Sequence, residues 1–181
     1  AELKQVAWSL NAQALFARQD YQGAASAYRQ ALQLTDSEDA RRPALLAGLA
    51  SALYKQGEQA LLLGDKTRAA ELYQQTAALA PEGEIGSRAL YDAASTLIAL
   101  EFWQDAIDTL QRFREDYPQD PLQGEVTRKL AYVYESGEDY PRAAREYLRL
   151  GQDSQQPALV QREALLRAAE LYRQTGVVSQ A

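Results

Sequence analysis

The side chains that most often perform catalysis are absent from this sequence. Its 181 residues include neither cysteine nor histidine, which excludes disulfides, thiolate nucleophiles and the commonest general base. Carboxylates, hydroxyls and amines remain, but among 25 acidic residues a close carboxylate pair arises by chance and does not indicate a glycosidase-type site. No glycine-rich phosphate loop or nucleophile elbow is present in the sequence. We therefore predict that the protein is not an enzyme.

Metal, nucleic-acid and membrane functions are also disfavoured by the residues present. Asp116, Asp120 and Glu125 are close in sequence, but they lack the spacing of an EF-hand loop, so we expect no metal site and no cofactor. The formal net charge is −6, and no basic stripe that could bind nucleic acid is visible in the sequence. The longest apolar runs, such as Ala60 to Leu63, are far shorter than the roughly 20 residues of a membrane span.

Four short segments of the sequence resemble one another, which indicates an internal repeat. Each contains an alanine that is followed four residues later by tyrosine or leucine, and these alanines are separated by 45, 37 and 37 residues. They are Ala24, Ala69, Ala106 and Ala143. Spacings of three and four place such residues on one face of a helix, where a small alanine allows a neighbouring helix to approach closely.

A second alanine-rich segment precedes each of these four, so the repeat unit is a pair of helices. Glycine or proline lies between the helices, and no segment alternates with the period of a strand. Gly64, Gly137 and Gly176 are expected to end helices. We predict about nine helices, over residues 2–18, 21–34, 37–63, 65–79, 84–100, 102–116, 121–136, 139–151 and 157–175.

The start of the third helix is left open by the sequence. Asp36 and Ser37 are both suitable N-caps, whereas Pro43 would mark either the true start or a kink. The charged run from Asp36 to Arg42 resembles a helix start, because acidic side chains favour the positive end of a helix. We assign no binding role to this run.

At these positions the residues resemble the tetratricopeptide family, whose repeat of about 34 residues is a helical pair. Trp8 lies sixteen residues before Ala24, where the signature tryptophan of the family falls, while Asn11, Gln56 and Ala60 depart from its core pattern. The resemblance implies an all-α fold, a right-handed α–α superhelix or solenoid formed by one array over residues 1–181. The repeats would cover about 5–36, 44–83, 87–120 and 124–156, followed by a lone helix at 157–175.

A narrower resemblance concerns the joint between the third and fourth repeats. Residues Phe113 to Leu122 look like the inter-repeat joint of tetratricopeptide proteins of the Gram-negative envelope, whose repeats are similarly long. That group includes outer-membrane-assembly lipoproteins and periplasmic proteins that bind the Tol machinery. The resemblance implies a bacterial protein of the periplasm or envelope, with a cytoplasmic location as the alternative.

In this family the first helix of each pair lines the concave side of the array. The resemblance therefore implies a non-catalytic scaffold that binds a peptide or protein partner in the groove, where tyrosine and arginine are frequent hot spots. The predicted partner-binding residues are Tyr54, Arg88, Tyr91, Ser95, Arg128, Tyr132 and Glu135. The alternative for the tyrosines is packing in the core or between repeats.

Phe102 and Trp103 are adjacent, so they cannot both point inward from one helix. They form either a helix–helix corner or a small exposed aromatic patch that docks another domain.

The alternative function is assembly. The last repeat lacks its second helix, and Val177 and Val178 follow the last helix stop without the polar outer face that terminal repeats need. We therefore expect the chain to be part of a longer protein. A dimerisation or assembly module within a larger envelope protein, including a homodimer, is the alternative to the peptide scaffold.

Overall fold

The structure is a computed structural model, which describes residues 2–176. Within that range the chain is all-α, with nine helices and no strand, as the sequence predicts. The helices are α1 (Glu2–Ala17), α2 (Tyr21–Gln33), α3 (Arg42–Leu62), α4 (Lys66–Leu79), α5 (Glu84–Ala99), α6 (Trp103–Asp116), α7 (Gln123–Ser136), α8 (Tyr140–Gln152) and α9 (Ala158–Thr175). None of them is long and apolar enough to cross a membrane.

The helices form two compact units, one holding α1–α5 and the other α6–α9. Within each unit, every helix packs against the next one in the sequence, and in the first unit α3 also contacts α1 and α5. The four repeat alanines are completely buried, which confirms the phase of the repeat. Consecutive packing through small residues is therefore the rule that organises each unit.

The turn inside each helical pair is built in the same way four times. One residue adopts the left-handed conformation, and the next residue stands at the N-cap of the second helix. The left-handed residues are Gln19, Gly64, Glu101 and Glu138, with φ of 63°, 83°, 59° and 61°. In three of the turns the N-cap is an aspartate whose carboxylate accepts a hydrogen bond from the backbone N–H three residues later. These caps are Asp20, Asp65 and Asp139, at 2.9, 3.0 and 3.2 Å.

One detail of the predicted helix ends needs correction. α3 begins at Arg42 rather than at residue 37, so Pro43, in its first turn, marks the true start. Asp39 accepts hydrogen bonds from the Arg41 backbone and guanidinium at 2.6–2.9 Å, so the preceding charged residues form a turn of their own. These hydrogen bonds hold the pKa of Asp39 at about 2. Gly137 ends α7 as predicted, at the C-cap with φ −85°, and the left-handed residue is Glu138, one position later.

α1 is the least buried helix of the first unit. Only Gln5 and Ala12 are buried in it, and Trp8 remains 39% exposed, although it matches the family's signature tryptophan in position. Leu3 and Leu10 are 87% and 59% exposed. The first repeat therefore presents an apolar outer face.

Candidate functional site

A cleft of about 670 Å³ lies between α3 and α5 in the first unit, and we call it the α3–α5 cleft. The lining residues on α3 and α5 recur every three or four positions, because residues at those spacings lie on one face of a helix. The lining residues are Tyr54, Glu58, Leu61, Leu62, Tyr73, Arg88, Asp92, Ser95, Thr96 and Ala99.

The middle of the cleft is a hydrogen-bonded cluster of aromatic and charged side chains. The Tyr54 hydroxyl donates a hydrogen bond to Asp92 Oδ2 at 2.6 Å, and the Tyr54 ring lies 5.3 Å from the ring of Tyr73. Burial, followed by the hydrogen bond to Asp92, raises the pKa of Tyr54, and burial raises the pKa of Tyr73 to about 12. Both phenols therefore keep their protons at neutral pH, and the Tyr54 hydroxyl acts as a hydrogen-bond donor.

The two ends of the α3–α5 cleft differ in polarity. At one end Leu61 and Leu62 are 44% and 87% exposed and present apolar surface to solvent. At the other end Arg88 is exposed, and the Lys55–Glu58 ion pair spans 2.6 Å. A second pocket of about 520 Å³ shares Tyr54, Glu58 and Arg88 with the cleft and extends the polar end.

The structure brings together three of the predicted partner-binding residues. Tyr54, Arg88 and Ser95 all line the α3–α5 cleft, although the Ser95 hydroxyl donates to the Tyr91 carbonyl at 2.9 Å. Tyr91 is half-buried on α5 and does not line the cleft. Asp92 was not predicted from the sequence, because a single acidic residue on a helix gives no signal for a tyrosine partner 38 positions away.

The remaining predicted residues all lie on α7 in the second unit. Arg128 is exposed and forms an ion pair with Glu125 at 3.1 Å. Tyr132 is 51% exposed, and its ring meets the ring of Trp103 edge to face, with centroids 6.3 Å apart. These two α7 side chains are accessible to a partner.

Glu135 is engaged within the fold. It accepts a hydrogen bond from the Tyr147 hydroxyl at 2.8 Å and from the Arg167 guanidinium, and Arg167 also pairs with Glu170 at 2.7 Å. Burial alone would raise the pKa of Glu135, but the hydrogen bonds from Arg167 and Tyr147 outweigh burial and lower it. Glu135 thus ties α7 to α8 and α9.

Phe102 and Trp103, the adjacent aromatic residues at the start of α6, differ in burial. Trp103 is half-buried against Tyr132, whereas Phe102 is 47% exposed. Phe102 occupies the N-cap position that aspartate holds in the other three turns, and it makes no side-chain cap. Of these two residues, Phe102 is therefore the more exposed to solvent.

Comparisons with known proteins agree with this architecture. Two tetratricopeptide repeat models match the sequence, one over residues 51–83 and the other over residues 91–157, and together they cover more than half of it. The chain belongs to the tetratricopeptide repeat family. This family is in general a non-enzymatic scaffold that binds protein partners. No curated protein sequence matches the chain significantly.

Solved structures match this tetratricopeptide chain over nearly its whole length. A MamA protein is 20% identical, with a TM-score of 0.50, and the match covers 100% of this chain and 98% of that one. TPR-like repeats of a Podosopora anserina protein described as a kinesin light chain are 17% identical, with a TM-score of 0.49 and coverages of 94% and 86%. At these identities the likeness concerns the fold alone.

Proposed function

We propose that this tetratricopeptide protein is a non-catalytic scaffold whose α3–α5 cleft holds a peptide segment of a protein partner. The observation that carries the proposal is the combination of two exposed leucines with a tyrosine–aspartate–arginine cluster in one cleft. Apolar anchors beside a few fixed polar groups are the usual composition of a peptide-binding groove.

The geometry favours a peptide with an aliphatic side chain at one end of the cleft. Covering Leu61 and Leu62 would remove apolar surface from water, worth about 1.5–3 kcal/mol for each fully buried side chain. At the polar end Arg88 lies near Tyr54 and Asp92, where its guanidinium can donate to a peptide carbonyl or carboxylate. The two ends together would fix the direction of the bound peptide.

The same side chains support a binding role over a catalytic one. The phenols of Tyr54 and Tyr73 hold their protons, so neither supplies a phenolate nucleophile at neutral pH. Among residues 2–176, no group of three or more carboxylates is placed to hold a metal ion.

Selection from a phage-displayed library of random peptides tests this proposal directly. Peptides enriched on the wild type should bind Leu62→Asp and Arg88→Ala at least about tenfold more weakly, since each change removes one end of the cleft. Gln75→Asp, which places the same new charge at an exposed site on α4, is the matched control and should bind normally. Peptides that bind all four proteins equally would place the binding surface elsewhere.

The partner surface proposed from the sequence is wider than this cleft. We retain Tyr91, Arg128 and Tyr132 as proposed contacts, and a Tyr91→Ala, Arg128→Ala double variant should weaken the capture of the selected peptides without loss of helicity. Full binding by this variant would restrict the site to the α3–α5 cleft. The internal hydrogen bonds of Glu135 favour a structural role for that residue.

Self-association is the second candidate function, and the exposed face of α1 favours it. Leu3, Ala7, Leu10, Ala14 and Ala17 follow each other in steps of four and three, and all five are exposed. In an antiparallel pair of α1 helices with its two-fold axis between residues 8 and 9, Leu3 would face Ala14 and Ala7 would face Leu10. Val177 and Val178, which also suggested assembly, lie outside the described residues.

Sedimentation velocity at micromolar concentration separates this candidate from the monomer. A dimer that a Leu3→Glu, Leu10→Glu variant converts to monomer would support pairing through α1. A wild-type protein that sediments as a monomer across that range would remove the hypothesis.

We also propose a bacterial envelope location, on the similarity of residues 113–122 to envelope tetratricopeptide proteins. In the structure this joint is well connected, since Leu122 N donates to Asp120 Oδ1 at 2.9 Å and Gln123 Nε2 to the Tyr117 carbonyl at 2.6 Å. Fractionation of the source cells, followed by immunoblotting with an antibody against this chain, tests the location. Recovery in the cytoplasmic fraction alone would contradict it.

A further inference from the structure

One face of α8 carries three arginines. Arg142, Arg145 and Arg149 follow each other in steps of three and four, all are exposed, and we call them the α8 arginine stripe. The opposite face packs into the unit through small residues, including Ala143 and Ala144. No basic stripe is visible in the linear sequence, because helical spacing separates the arginines by uncharged and acidic residues.

The corresponding positions of the other repeats are not basic stripes. The three positions lie one residue before, two after and six after the repeat alanine. In α6 they hold two acids and one arginine, which are Asp105, Asp108 and Arg112. In α4 they hold Arg68, Glu71 and Gln75, and in α2 they hold the uncharged Gly23, Ser26 and Gln30. Since all four helices are second helices of their pairs, the fold alone does not require arginine there.

The charge of the α8 arginine stripe is largely uncompensated. Among the residues that the structure describes, neither Arg145 nor Arg149 has an ion-pair partner, and Arg142 pairs with Asp139 at 3.2 Å. In α4 and α6, by contrast, Arg68 and Arg112 are paired within their own helices at 2.9 and 3.1 Å.

The nearby carboxylates are already occupied. Glu146 is only 14% exposed and accepts two hydrogen bonds from the Arg114 guanidinium, at 3.0 and 2.6 Å. Asp153 accepts from Gln155 N at 2.9 Å and from Gln156 Nε2 at 3.0 Å, but these neutral donors leave its negative charge in place. Because Glu146 is paired with Arg114 and Asp139 with Arg142, the remaining arginines of the stripe, Arg145 and Arg149, still outnumber Asp153, and the stripe keeps a net positive charge.

Hollows flank Arg145 on both sides. One, of about 390 Å³, is lined by Gln111, Tyr134, Arg142 and Glu146 together with Arg145. The other, of about 420 Å³, is lined by Arg145 together with Leu148, Arg149, Gln152 and Asp153. Leu148 gives the second hollow an aliphatic side chain beside Arg145 and Arg149.

We propose that the α8 arginine stripe docks an acidic peptide segment of a protein partner. Its carboxylates, about one helical turn apart, would pair with the arginines, and one aliphatic side chain would enter the hollow beside Leu148. An anionic bilayer is the less favourable occupant, because the negative charge on the rest of the protein would oppose its approach. This surface belongs to the second unit, and the proposal does not depend on the α3–α5 cleft.

Fluorescence anisotropy with synthetic peptides tests the proposal. The probe is a labelled peptide with three glutamates about one helical turn apart and a leucine between them, and its counterpart has glutamine in place of each glutamate. Arg145→Gln, Arg149→Gln should bind the glutamate peptide about tenfold or more weakly than wild type, and wild-type affinity should fall as salt is added. The double variant should remain folded, because both side chains are exposed.

The matched control is Arg18→Gln, Arg29→Gln, which lowers the net charge equally through exposed arginines of the first unit. Normal binding by this control, with weakened binding by the α8 variant, supports the proposal. Equal loss in both variants would show non-specific attraction and overturn it. Equal affinity for the glutamate and glutamine peptides would also overturn it, as would α8-dependent binding to phosphatidylserine vesicles without peptide binding.

Discussion

Gly57 lies against the ring of Tyr73, one of the aromatic side chains that form the α3–α5 cleft. A Cβ atom at Gly57 would come within 2.7 Å of Tyr73 Cε1, which is closer than real atoms approach. The glycine therefore sets how near the Tyr73 ring lies to α3. Tyr54, Tyr73 and Asp92 meet only because three different helices bring them together.

Gly57→Ala should lower stability, although alanine is the better helix former. The overpacked contact should cost about 1–3 kcal/mol, more than the roughly 1 kcal/mol that helix propensity returns. Urea unfolding measures the difference. Gly137→Ala is the control, because its nearest neighbours would lie at 3.4 Å or more, and it should not destabilise. Equal effects of both substitutions would contradict the Tyr73 contact.

Glu138 adopts a left-handed conformation with φ 61° that strains any residue with a Cβ atom. Glu138→Gly should relieve that strain and raise stability by about 0.5–1 kcal/mol, after the greater flexibility of glycine in the unfolded chain is allowed for. Thermal unfolding tests this. Gln74→Gly, at an exposed position inside α4, should instead destabilise. A loss of stability on Glu138→Gly would show that its side chain has another role.

N-terminal capping, as well as packing between helix faces, positions the second helix of most pairs. Three of the four second helices have an aspartate at the N-cap, whereas α6 has Phe102 at that position. Phe102 is 47% exposed and provides no side-chain acceptor for the first N–H groups of the helix. Exposing an aromatic ring and omitting a cap are both unfavourable for stability.

Phe102→Asp should restore the missing cap and stabilise the protein by about 0.5–2 kcal/mol. The measurement is the shift in the urea midpoint, with Phe102→Ala as the control that removes the ring without adding a cap. If the aspartate variant proved less stable than the alanine variant, the ring would be supporting α6 by packing.

Within the second unit, ion pairs and hydrogen bonds between side chains join helices that are distant in sequence. Glu135 links α7 to Tyr147 on α8 and to Arg167 on α9, and Arg114 on α6 holds Glu146 on α8. These contacts span 12 and 32 residues of sequence, so they form only once the helices have packed. Their contribution is modest, because several of the groups are partly exposed and screened by water.

The fold lowers the pKa of Glu135, so its ionised form stabilises the native state above pH 4.5, the ordinary glutamate pKa. This stabilisation is lost as the pH falls through the lowered pKa that Glu135 has in the native state. Glu135→Gln should therefore be less stable than wild type at pH 7, with a difference that shrinks below about pH 4.5. Urea unfolding across pH measures this. Glu71→Gln, in an exposed pair, should show a smaller difference at pH 7. A difference for Glu135→Gln that is constant down to pH 2 would contradict ion pairing there.

The repeat phase and nearly all helix bounds could be predicted, because they depend on residues three and four positions apart and on local stop signals. Ala24 and Ala143 are fully buried as their spacing required. The start of α3 could not be predicted, since Asp39 and Arg41 form a turn in which Arg41 also reaches Glu2 on α1 at 3.3 Å. Such a contact, across 39 residues, leaves no periodic signal.

The sequence by itself determined that this protein is a stack of helical pairs, because short-range spacing specifies which face of each helix is small and apolar. Only the tertiary structure decided what each polar residue does. Tyr54 and Arg88 line a cleft, while Glu135 turns to a neighbouring helix and Arg145 is left without a carboxylate partner among the described residues. The physical reason is that the partners of Tyr54 and Glu135 come from other helices, and packing determines which helices those are.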